Sequence, residues 1–216
     1  MRYYPVFLNL KAKLCVVIGG GKVAERKVNS LLEAGAIVKV ISPELTPVLK
    51  ELAETGKIFW EKREYKKGDI EGAWLVISAT NNPSVQKSVY TEAEEKKIFC
   101  NVVDVPELCS FIVPSVVKRG DLQIAISTSG ASPAVARRLR EQLEELFGKE
   151  YEIYLKLLKN LREQILKSNW DREKKEKTLQ NLALAPIPKY IKNKDFHLLK
   201  TLIEKLGLTL PSDLFS

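Results

Sequence analysis

Histidine, cysteine and long apolar runs are scarce in this sequence. His197 is the only histidine, and Cys15, Cys100 and Cys109 lack C-x-x-C spacing, so neither a disulfide framework nor a zinc site is predicted. No apolar run reaches the ~18 residues that a membrane span needs, and the first residues do not resemble a secretory signal peptide. Two of the cysteines lie in apolar, strand-like runs, which favours reduced thiols and a cytoplasmic location. Without an apolar run of spanning length, no membrane partner is predicted.

The charge balance is positive. The 216 residues include 35 Lys and Arg against 27 Asp and Glu, a formal net charge of +8. Such an excess favours acidic partners, namely nucleic acid, anionic lipid or a polyanionic small molecule, although a solvated surface rich in both signs gives the same count. We find neither a recognition-helix motif nor interleaved aromatic and basic residues, so no nucleic-acid partner is predicted.

Short apolar runs alternate with helical patterns through the first half of the chain. The runs occupy residues 14–18, 37–41, 58–60, 74–78 and 98–103, and helices are predicted between them, one of them over residues 44–55. A continuous apolar run is typical of a parallel strand that is buried on both faces. The alternation predicts an α/β fold with a doubly wound, Rossmann-type parallel sheet.

The pattern changes near residue 110. A strand is predicted over residues 123–127, after a turn at Gly120, and Ser132 followed by Pro133 is typical of a helix start. Beyond residue 148 the chain is predicted to be wholly helical. We therefore predict three parts: a nucleotide-binding domain over 1–112, a small α+β segment over 113–147 and a helical domain over 148–216.

A glycine-rich turn joins the first strand to the first helix. Residues 19–24, with Gly19, Gly21 and Ala24, fit the pattern G-x-G-x-x-A. In that pattern Gly19 permits the tight turn, and Gly21 lets the backbone approach a pyrophosphate. The N–H groups at the start of the helix can hold phosphate oxygens. The turn predicts a dinucleotide site, and a tight turn that binds nothing is the alternative.

Polar residues end the next two strands of the predicted sheet. An acid near the end of the second strand usually holds the adenosine ribose; here Glu44 lies slightly late, and Ser42 could share the role. No arginine follows to meet a 2′-phosphate, which favours NAD⁺ over NADP⁺. Thr80 follows the strand over 74–78 and would lie beside the cofactor, or belong to an ordinary loop.

Asp104 follows the last strand of the predicted sheet, on the same edge as the glycine turn. Its carboxylate could act as a general base, whereas spacing alone favours a turn or cap role. His197 belongs to a terminal helix far along the sequence. The usual acid–base residue is therefore missing near the nucleotide, which favours Asp104 as the catalytic group.

Six motifs together resemble the precorrin-2 dehydrogenase / sirohydrochlorin ferrochelatase family, the siroheme synthase module. They lie at residues 4–8, 19–27, 79–81, 101–104, 110–115 and 127–134, in matching order over about residues 3–147. The resemblance implies NAD⁺-dependent oxidation of precorrin-2 to sirohydrochlorin and, in many members, insertion of Fe²⁺ to give siroheme. No metal-binding residues are predicted, because the sequence offers neither a histidine cluster nor a cysteine pair.

The resemblance also implies roles for particular residues. It makes Asp104 the shared catalytic aspartate and puts nucleotide contacts at Lys22, Val23, Pro43 and Glu44. It implies a homodimer that is joined through residues 113–147, with a partner that helps to close the active-site cleft. A serine that is phosphorylated in some relatives corresponds here to Thr128.

The substrate of that family is a tetrapyrrole with many carboxylates. Cationic and hydroxyl side chains could hold these groups, and we predict substrate contacts from Ser110, Pro114, Ser127, Thr128, Ser129 and Arg137. A solvated helix face would equally explain Arg137 and its neighbours Arg138 and Arg140. The hydroxyl groups could instead only shape a helix start. A non-catalytic NAD(H)-sensing protein with a helical effector domain is the alternative function, and it needs no catalytic aspartate.

Overall fold

Five parallel strands form a single sheet in the first half of the chain. The computed structural model describes residues 3–211 and Leu214. Its first elements are β1 (Leu14–Ile18), α1 (Lys22–Glu33), β2 (Ile37–Ile41), α2 (Pro47–Glu54), β3 (Phe59–Glu61), β4 (Leu75–Ser78), α3 (Pro83–Lys96) and β5 (Phe99–Val102). The strand order is β3-β2-β1-β4-β5, and each neighbouring pair is parallel. The predicted Rossmann-type fold is confirmed.

Both faces of this sheet are buried. Cys15 and Val17 of β1 belong to one apolar cluster with residues of α1, whereas Val16 and Ile18 belong to a second cluster with residues of α3. Because successive side chains of a strand point to opposite faces, a strand with helices on both sides must be apolar throughout. Burial of each such side chain stabilises the folded state by about 1.5–3 kcal/mol. This explains why the apolar run at residues 14–18 is uninterrupted.

Helix α2 begins three residues later than the predicted range of 44–55. The hydroxyl of Thr46 accepts a hydrogen bond from the Leu49 backbone N–H at 3.3 Å, and Pro47 occupies the first turn. A threonine cap followed by proline starts a helix because the cap satisfies a free N–H and proline has none. Residues 42–45 are thereby left as a loop at the end of β2.

The chain divides into two units, the first ending at Val113 and the second beginning at Pro114. The second unit opens with an antiparallel hairpin and continues as helices. Its elements are β6 (Ser115–Arg119), β7 (Leu122–Ile126), α4 (Pro133–Leu146), α5 (Glu150–Lys167), α6 (Arg172–Leu184), α7 (Ile187–Asn193) and α8 (Phe196–Lys205). The three-part division with boundaries at 112–113 and 147–148 stays a prediction.

Local signals place the helix starts of the second unit. Ser132 caps α4 as its spacing suggests, with its hydroxyl accepting from the Val135 N–H at 3.3 Å. Asp171 caps α6, and the charged residues 172–177 that follow it form the first turns of that helix. The helices pack around a core that contains Leu157, Leu161, Leu182, Leu199 and Ile203. Within the described residues, no helix is both long and apolar enough to cross a membrane.

Candidate active site

The carboxyl ends of β1, β4 and β5 lie side by side on one edge of the sheet. The strand order reverses between β1 and β4, and ligands of such sheets bind in the crevice where that reversal occurs. The glycine turn follows β1, Thr80 follows β4 and Asp104 follows β5. Since neighbouring strands are 4.7–4.9 Å apart, β1 and β5 are separated by about 10 Å, a span that one cofactor can bridge.

Each glycine of the turn has a different role. Gly19 has a φ of +115°, and a Cβ there would lie 2.5 Å from the Ala79 carbonyl oxygen. A Cβ on Gly20 would lie 1.9 Å from the Glu44 carbonyl oxygen, whereas one on Gly21 would meet nothing within 4 Å. Packing therefore requires Gly19 and Gly20, and only Gly21 leaves backbone open to a ligand. Gly20 is a position that the G-x-G pattern treats as free.

The start of α1 faces this open glycine. No side chain caps the helix, and the Glu25 N–H donates to the Gly21 carbonyl at 2.9 Å. The N–H groups of Lys22, Val23 and Ala24 precede that bond and have no partner within the helix. Together with the positive end of the helix dipole, they fit an anion such as a pyrophosphate.

A cavity of about 370 Å³ lies beside the turn, lined by Gly20, Gly21, Ser42, Glu44, Leu45 and Thr46. Ser42 is buried, and its hydroxyl donates to the Glu44 carbonyl at 2.7 Å. The Trp60 indole N–H donates to the Ser42 carbonyl at 2.9 Å. The loop is thus held rigidly while the Glu44 side chain stays exposed. A carboxylate at the end of β2 fits the ribose of a dinucleotide.

One polar link joins the loop that lines this cavity to α1. The Thr46 hydroxyl donates to the Glu25 carboxylate at 2.5 Å, and Lys22 lies 3.3 Å from the same carboxylate. The hydrogen bond from Thr46 holds the pKa of Glu25 below its ordinary value. The sequence analysis did not predict Thr46 or Glu25 as residues of the site. The Thr46-Pro47 pair is the same cap signal that was used for Ser132-Pro133.

The loop after β4 is held by its own polar groups. The Thr80 hydroxyl accepts from the Asn82 N–H at 3.3 Å, and the Gln86 side chain donates to the Thr80 carbonyl at 2.8 Å. Asn82 then caps α3 by accepting from the N–H groups of Ser84 and Val85. Half-buried Thr80 therefore belongs to a fixed wall of the crevice.

Asp104 lies two residues beyond β5 with a φ of +62°, and its side chain is exposed. Aspartate tolerates this left-handed conformation better than most residues. The Cys109 thiol donates to the Val102 carbonyl at 3.2 Å, and the Val105 N–H donates to the same carbonyl. Of the described residues, none donates a hydrogen bond to the Asp104 carboxylate. A fixed loop therefore presents a free carboxylate at the sheet edge.

Ser110 and Asn101 complete the fixing of this loop. The Ser110 hydroxyl accepts from the Cys100 N–H at 2.8 Å, and the Ser110 N–H donates to the Cys100 carbonyl at 2.9 Å. The Asn101 amide donates to the Phe111 carbonyl at 3.0 Å. Ser110, predicted to contact substrate, thus also extends the edge of β5.

The other predicted substrate residues lie in the second unit. In the loop between β7 and α4, the Ser127 hydroxyl accepts from the Ser129 N–H at 3.0 Å, and Ser129 has a φ of +53°. The Thr128 hydroxyl both accepts from the Ser132 N–H and donates to its carbonyl, each at 3.1 Å. Arg137, on α4, pairs with Glu141 at 2.9 Å, and Pro114 begins this unit.

The cysteines and acidic residues do not form a metal centre. Among residues 3–211 and Leu214, no group of three or more His, Cys, Asp or Glu could hold a metal ion. The three cysteines are free, and burial raises the pKa of Cys15 to about 11 and that of Cys100 to about 12. These two thiols are therefore inert parts of the core.

Two family models match the chain. One, described as "Putative NAD(P)-binding", covers residues 6–115, and the other, "Sirohaem biosynthesis protein central", covers residues 119–146. Among solved structures, "SirC, precorrin-2 dehydrogenase" is similar, with a TM-score of 0.80 and 26% identity. The match covers 94% of this chain and 100% of that one.

Curated relatives are similar over two thirds to three quarters of the chain's length. "Siroheme synthase 3" of Aeromonas hydrophila is 44% identical over 165 residues, which is 76% of this chain and 35% of that protein. "Siroheme synthase" of Nitrosococcus oceani is 44% identical over 151 residues, or 70% of this chain and 32% of that protein. The chain thus spans about a third of the length of these relatives. The chain therefore belongs to the family whose model is described as putative NAD(P)-binding, and it is similar to siroheme synthases and to a precorrin-2 dehydrogenase.

Proposed function

We propose that the protein is an NAD⁺-dependent dehydrogenase that oxidises precorrin-2 to sirohydrochlorin. The observation that carries this proposal is the placing of an open glycine turn and the free carboxylate of Asp104 on one edge of the sheet. The full-length similarity to a precorrin-2 dehydrogenase supports the choice of substrate. A catalytic role for Asp104 separates this proposal from a protein that only senses NAD(H).

The cofactor would bind along the crevice between β1 and β4. The N–H groups of Lys22 and Val23 would hold the pyrophosphate above Gly21, and the Glu44 carboxylate would accept from a ribose hydroxyl. Pro43, Ser42 and Thr80 would shape the walls. No cation lines the described cavity, and the Glu44 carboxylate would repel a 2′-phosphate, so we favour NAD⁺ over NADP⁺. Bound NAD⁺ supplies a hydride acceptor.

Asp104 would take the proton that leaves the substrate together with the hydride. Dehydrogenation removes one hydride and one proton from the reduced macrocycle, and a carboxylate within hydrogen-bond reach can act as the base. The exposed side chain of Asp104 is accessible to a large substrate. Its loop is held by the hydrogen bonds of Cys109 and Ser110, which would keep the carboxylate in one position.

The second unit would provide further substrate contacts and the dimer interface. Ser127, Thr128, Ser129 and Arg137 would bind substrate carboxylates, and Pro114, at the start of this unit, and Ser110, in the first unit, would add further contacts. Val116, Val135, Leu139 and Leu146 are exposed apolar side chains of this unit. Such a set supports a homodimer that forms through residues 113–147.

The same site could serve a second reaction in which Fe²⁺ is a substrate. Metal insertion removes two pyrrole N–H protons, and Asp104 is a base that could accept them in turn. The similarity to proteins named siroheme synthase favours this second step. The three free thiols fit work in the reducing cytoplasm.

Turnover of precorrin-2 tests the proposal. The purified protein is incubated with precorrin-2 and NAD⁺ while absorbance reports both NADH and the oxidised tetrapyrrole, and Fe²⁺ or Co²⁺ is then added. We expect one NADH for each sirohydrochlorin formed, followed by a spectral change on metal addition. A protein that binds NAD⁺ but leaves precorrin-2 unchanged would be a sensor rather than a dehydrogenase. Sirohydrochlorin that accumulates without metal insertion would limit the function to the first step.

A further inference from the structure

Lys27 occupies an unusual place on α1. The buried residues of this helix are Ala24, Val28 and Leu31, and Lys27 lies three residues after the first and four before the last. Residues at these spacings share one face of a helix, so Lys27 belongs to the stripe that packs on the sheet. Its side chain is half-buried, whereas the preceding Arg26 is exposed.

The loop that carries Asp104 packs against the core cluster to which this face of α1 belongs. Val103 and Phe111 contact the apolar cluster that contains Ala24 and Val28. Asp104 directly follows Val103 in sequence. The ammonium group of Lys27 is accordingly within electrostatic range of the Asp104 carboxylate and of Cys109.

Among the residues that the structure describes, no acidic side chain lies within bonding distance of the Lys27 ammonium group. None of the ion pairs or hydrogen bonds formed by side chains of the described residues includes its ammonium group, although Lys22 and Lys39 of the same unit are both paired. Burial, and then the nearby Arg26, lower the pKa of Lys27, while Asp104 and Cys109 act in the opposite direction. A partly desolvated cation without a partner is costly, and an incoming anion would remove that cost.

We propose that Lys27 binds a carboxylate of the substrate beside Asp104. This inference rests on the proposed function, because its ligand is a carboxylate side chain of a polycarboxylate tetrapyrrole. The ammonium group would anchor one acidic substituent, and the substrate atom that loses its proton would then lie next to the Asp104 carboxylate. In this proposal Lys27 binds the substrate and Asp104 accepts its proton. The proposal accounts for the unpaired Lys27 on the inner stripe of α1 and for the free carboxylate of Asp104.

The test measures binding and turnover separately. Lys27→Gln and Lys27→Met remove the charge but keep most of the side-chain length, and Lys27→Arg keeps the charge. Lys57→Gln is the matched control, since Lys57 is exposed in the turn before β3. Sirohydrochlorin is titrated into each protein without NAD⁺ and followed by its absorbance, and KM and kcat for precorrin-2 are then determined.

We expect Lys27→Gln and Lys27→Met to raise the Kd for sirohydrochlorin and the KM for precorrin-2 by about tenfold, the loss expected for one charged hydrogen bond. Lys27→Arg should restore most of the affinity, NAD⁺ binding should be unchanged in all variants, and Lys57→Gln should match the wild type. Added salt should weaken tetrapyrrole binding to the wild type more than to Lys27→Met.

Tetrapyrrole binding within twofold of the wild type in a folded Lys27→Gln or Lys27→Met would overturn the inference. If one of these variants fails to fold, the other and the salt dependence still decide. If the wild type binds sirohydrochlorin but does not oxidise precorrin-2, only the proposed function is refuted. The titration of the Lys27 variants with sirohydrochlorin would then decide the Lys27 assignment.

Discussion

The hydroxyl of Thr46 donates to the carboxylate of Glu25 at 2.5 Å. This bond joins the residue that caps α2 to the first turn of α1, so that the two loops that line the candidate cofactor cavity are held together. The residues are 21 positions apart, and the bond therefore fixes the geometry of the cavity rather than of either helix alone. Its loss should affect both folding and cofactor binding.

Thr46→Val should destabilise the protein by about 1 kcal/mol through the lost cap, and should weaken NAD⁺ binding because the cavity wall loosens. Thr46→Ser retains the hydroxyl and should behave like the wild type. Urea unfolding and NAD⁺ titration of both variants check this. Equal NAD⁺ affinity in Thr46→Val and the wild type would show that the link does not shape the cavity.

The same link predicts a pH dependence. The hydrogen bond from Thr46 lowers the pKa of Glu25 below 4.5, so the stabilisation is present above that pH and is lost as the pH falls through the folded-state pKa. The part of the stability difference between wild type and Thr46→Val that comes from Glu25 should therefore shrink below pH 4.5. Urea midpoints measured between neutral and acidic pH would reveal it. In the Glu25→Gln background this pH dependence should disappear.

Substitutions at two neighbouring glycines of the turn should affect different properties, one the stability and the other NAD⁺ binding. Gly20→Ala should lower the free energy of unfolding by roughly 1–3 kcal/mol, because its Cβ would overlap the Glu44 carbonyl. Gly21→Asp meets open space and should fold normally, but it should weaken NAD⁺ binding at least tenfold, because it crowds and charges the phosphate site. Thermal unfolding and NAD⁺ titration separate the two effects. Unchanged NAD⁺ affinity in folded Gly21→Asp would exclude this site.

Ser110 allows a structural role to be separated from a substrate-binding role. Ser110→Ala removes the acceptor of the Cys100 N–H and should cost about 1 kcal/mol of stability. If Ser110 also contacts substrate, the KM of the folded Ser110→Ala variant for precorrin-2 should rise as well. Ser110→Thr keeps the hydroxyl and serves as the control. A variant with unchanged stability would contradict the role of Ser110 in holding the Asp104 loop.

The position of the candidate site at one edge of the sheet was predictable, because the carboxyl ends of parallel strands lie together. Continuous apolar runs indicate buried strands, so the turn at Gly21 and the carboxylate of Asp104 could be assigned to one edge without coordinates. The Thr46–Glu25 bond could not, because its partners are remote in sequence and neither residue type marks such a pairing. Lys27 was equally hidden, because lysine is usually exposed and only the structure shows that its side chain is half-buried near the Asp104 loop.

Contacts made by single positions also lay beyond sequence patterns. The need for glycine at Gly20 arises from the approach of the Glu44 carbonyl, which depends on where the loop after β2 turns. The start of α2 was predicted three residues too early, because the cap signal of Thr46 and Pro47 was not considered there. Ser110 bonds to Cys100 of β5 because the loop after β5 turns back beside that strand. No local sequence pattern predicts this turn.

The most direct test of the account is single-turnover oxidation of precorrin-2 by Asp104→Asn. Asparagine tolerates the positive φ of this position, so the loop should keep its shape while the base is removed. We predict NAD⁺ and sirohydrochlorin affinities within about twofold of the wild type and a rate of NADH formation lowered by at least ~100-fold. Oxidation at the wild-type rate by this variant would contradict Asp104 as the proton acceptor.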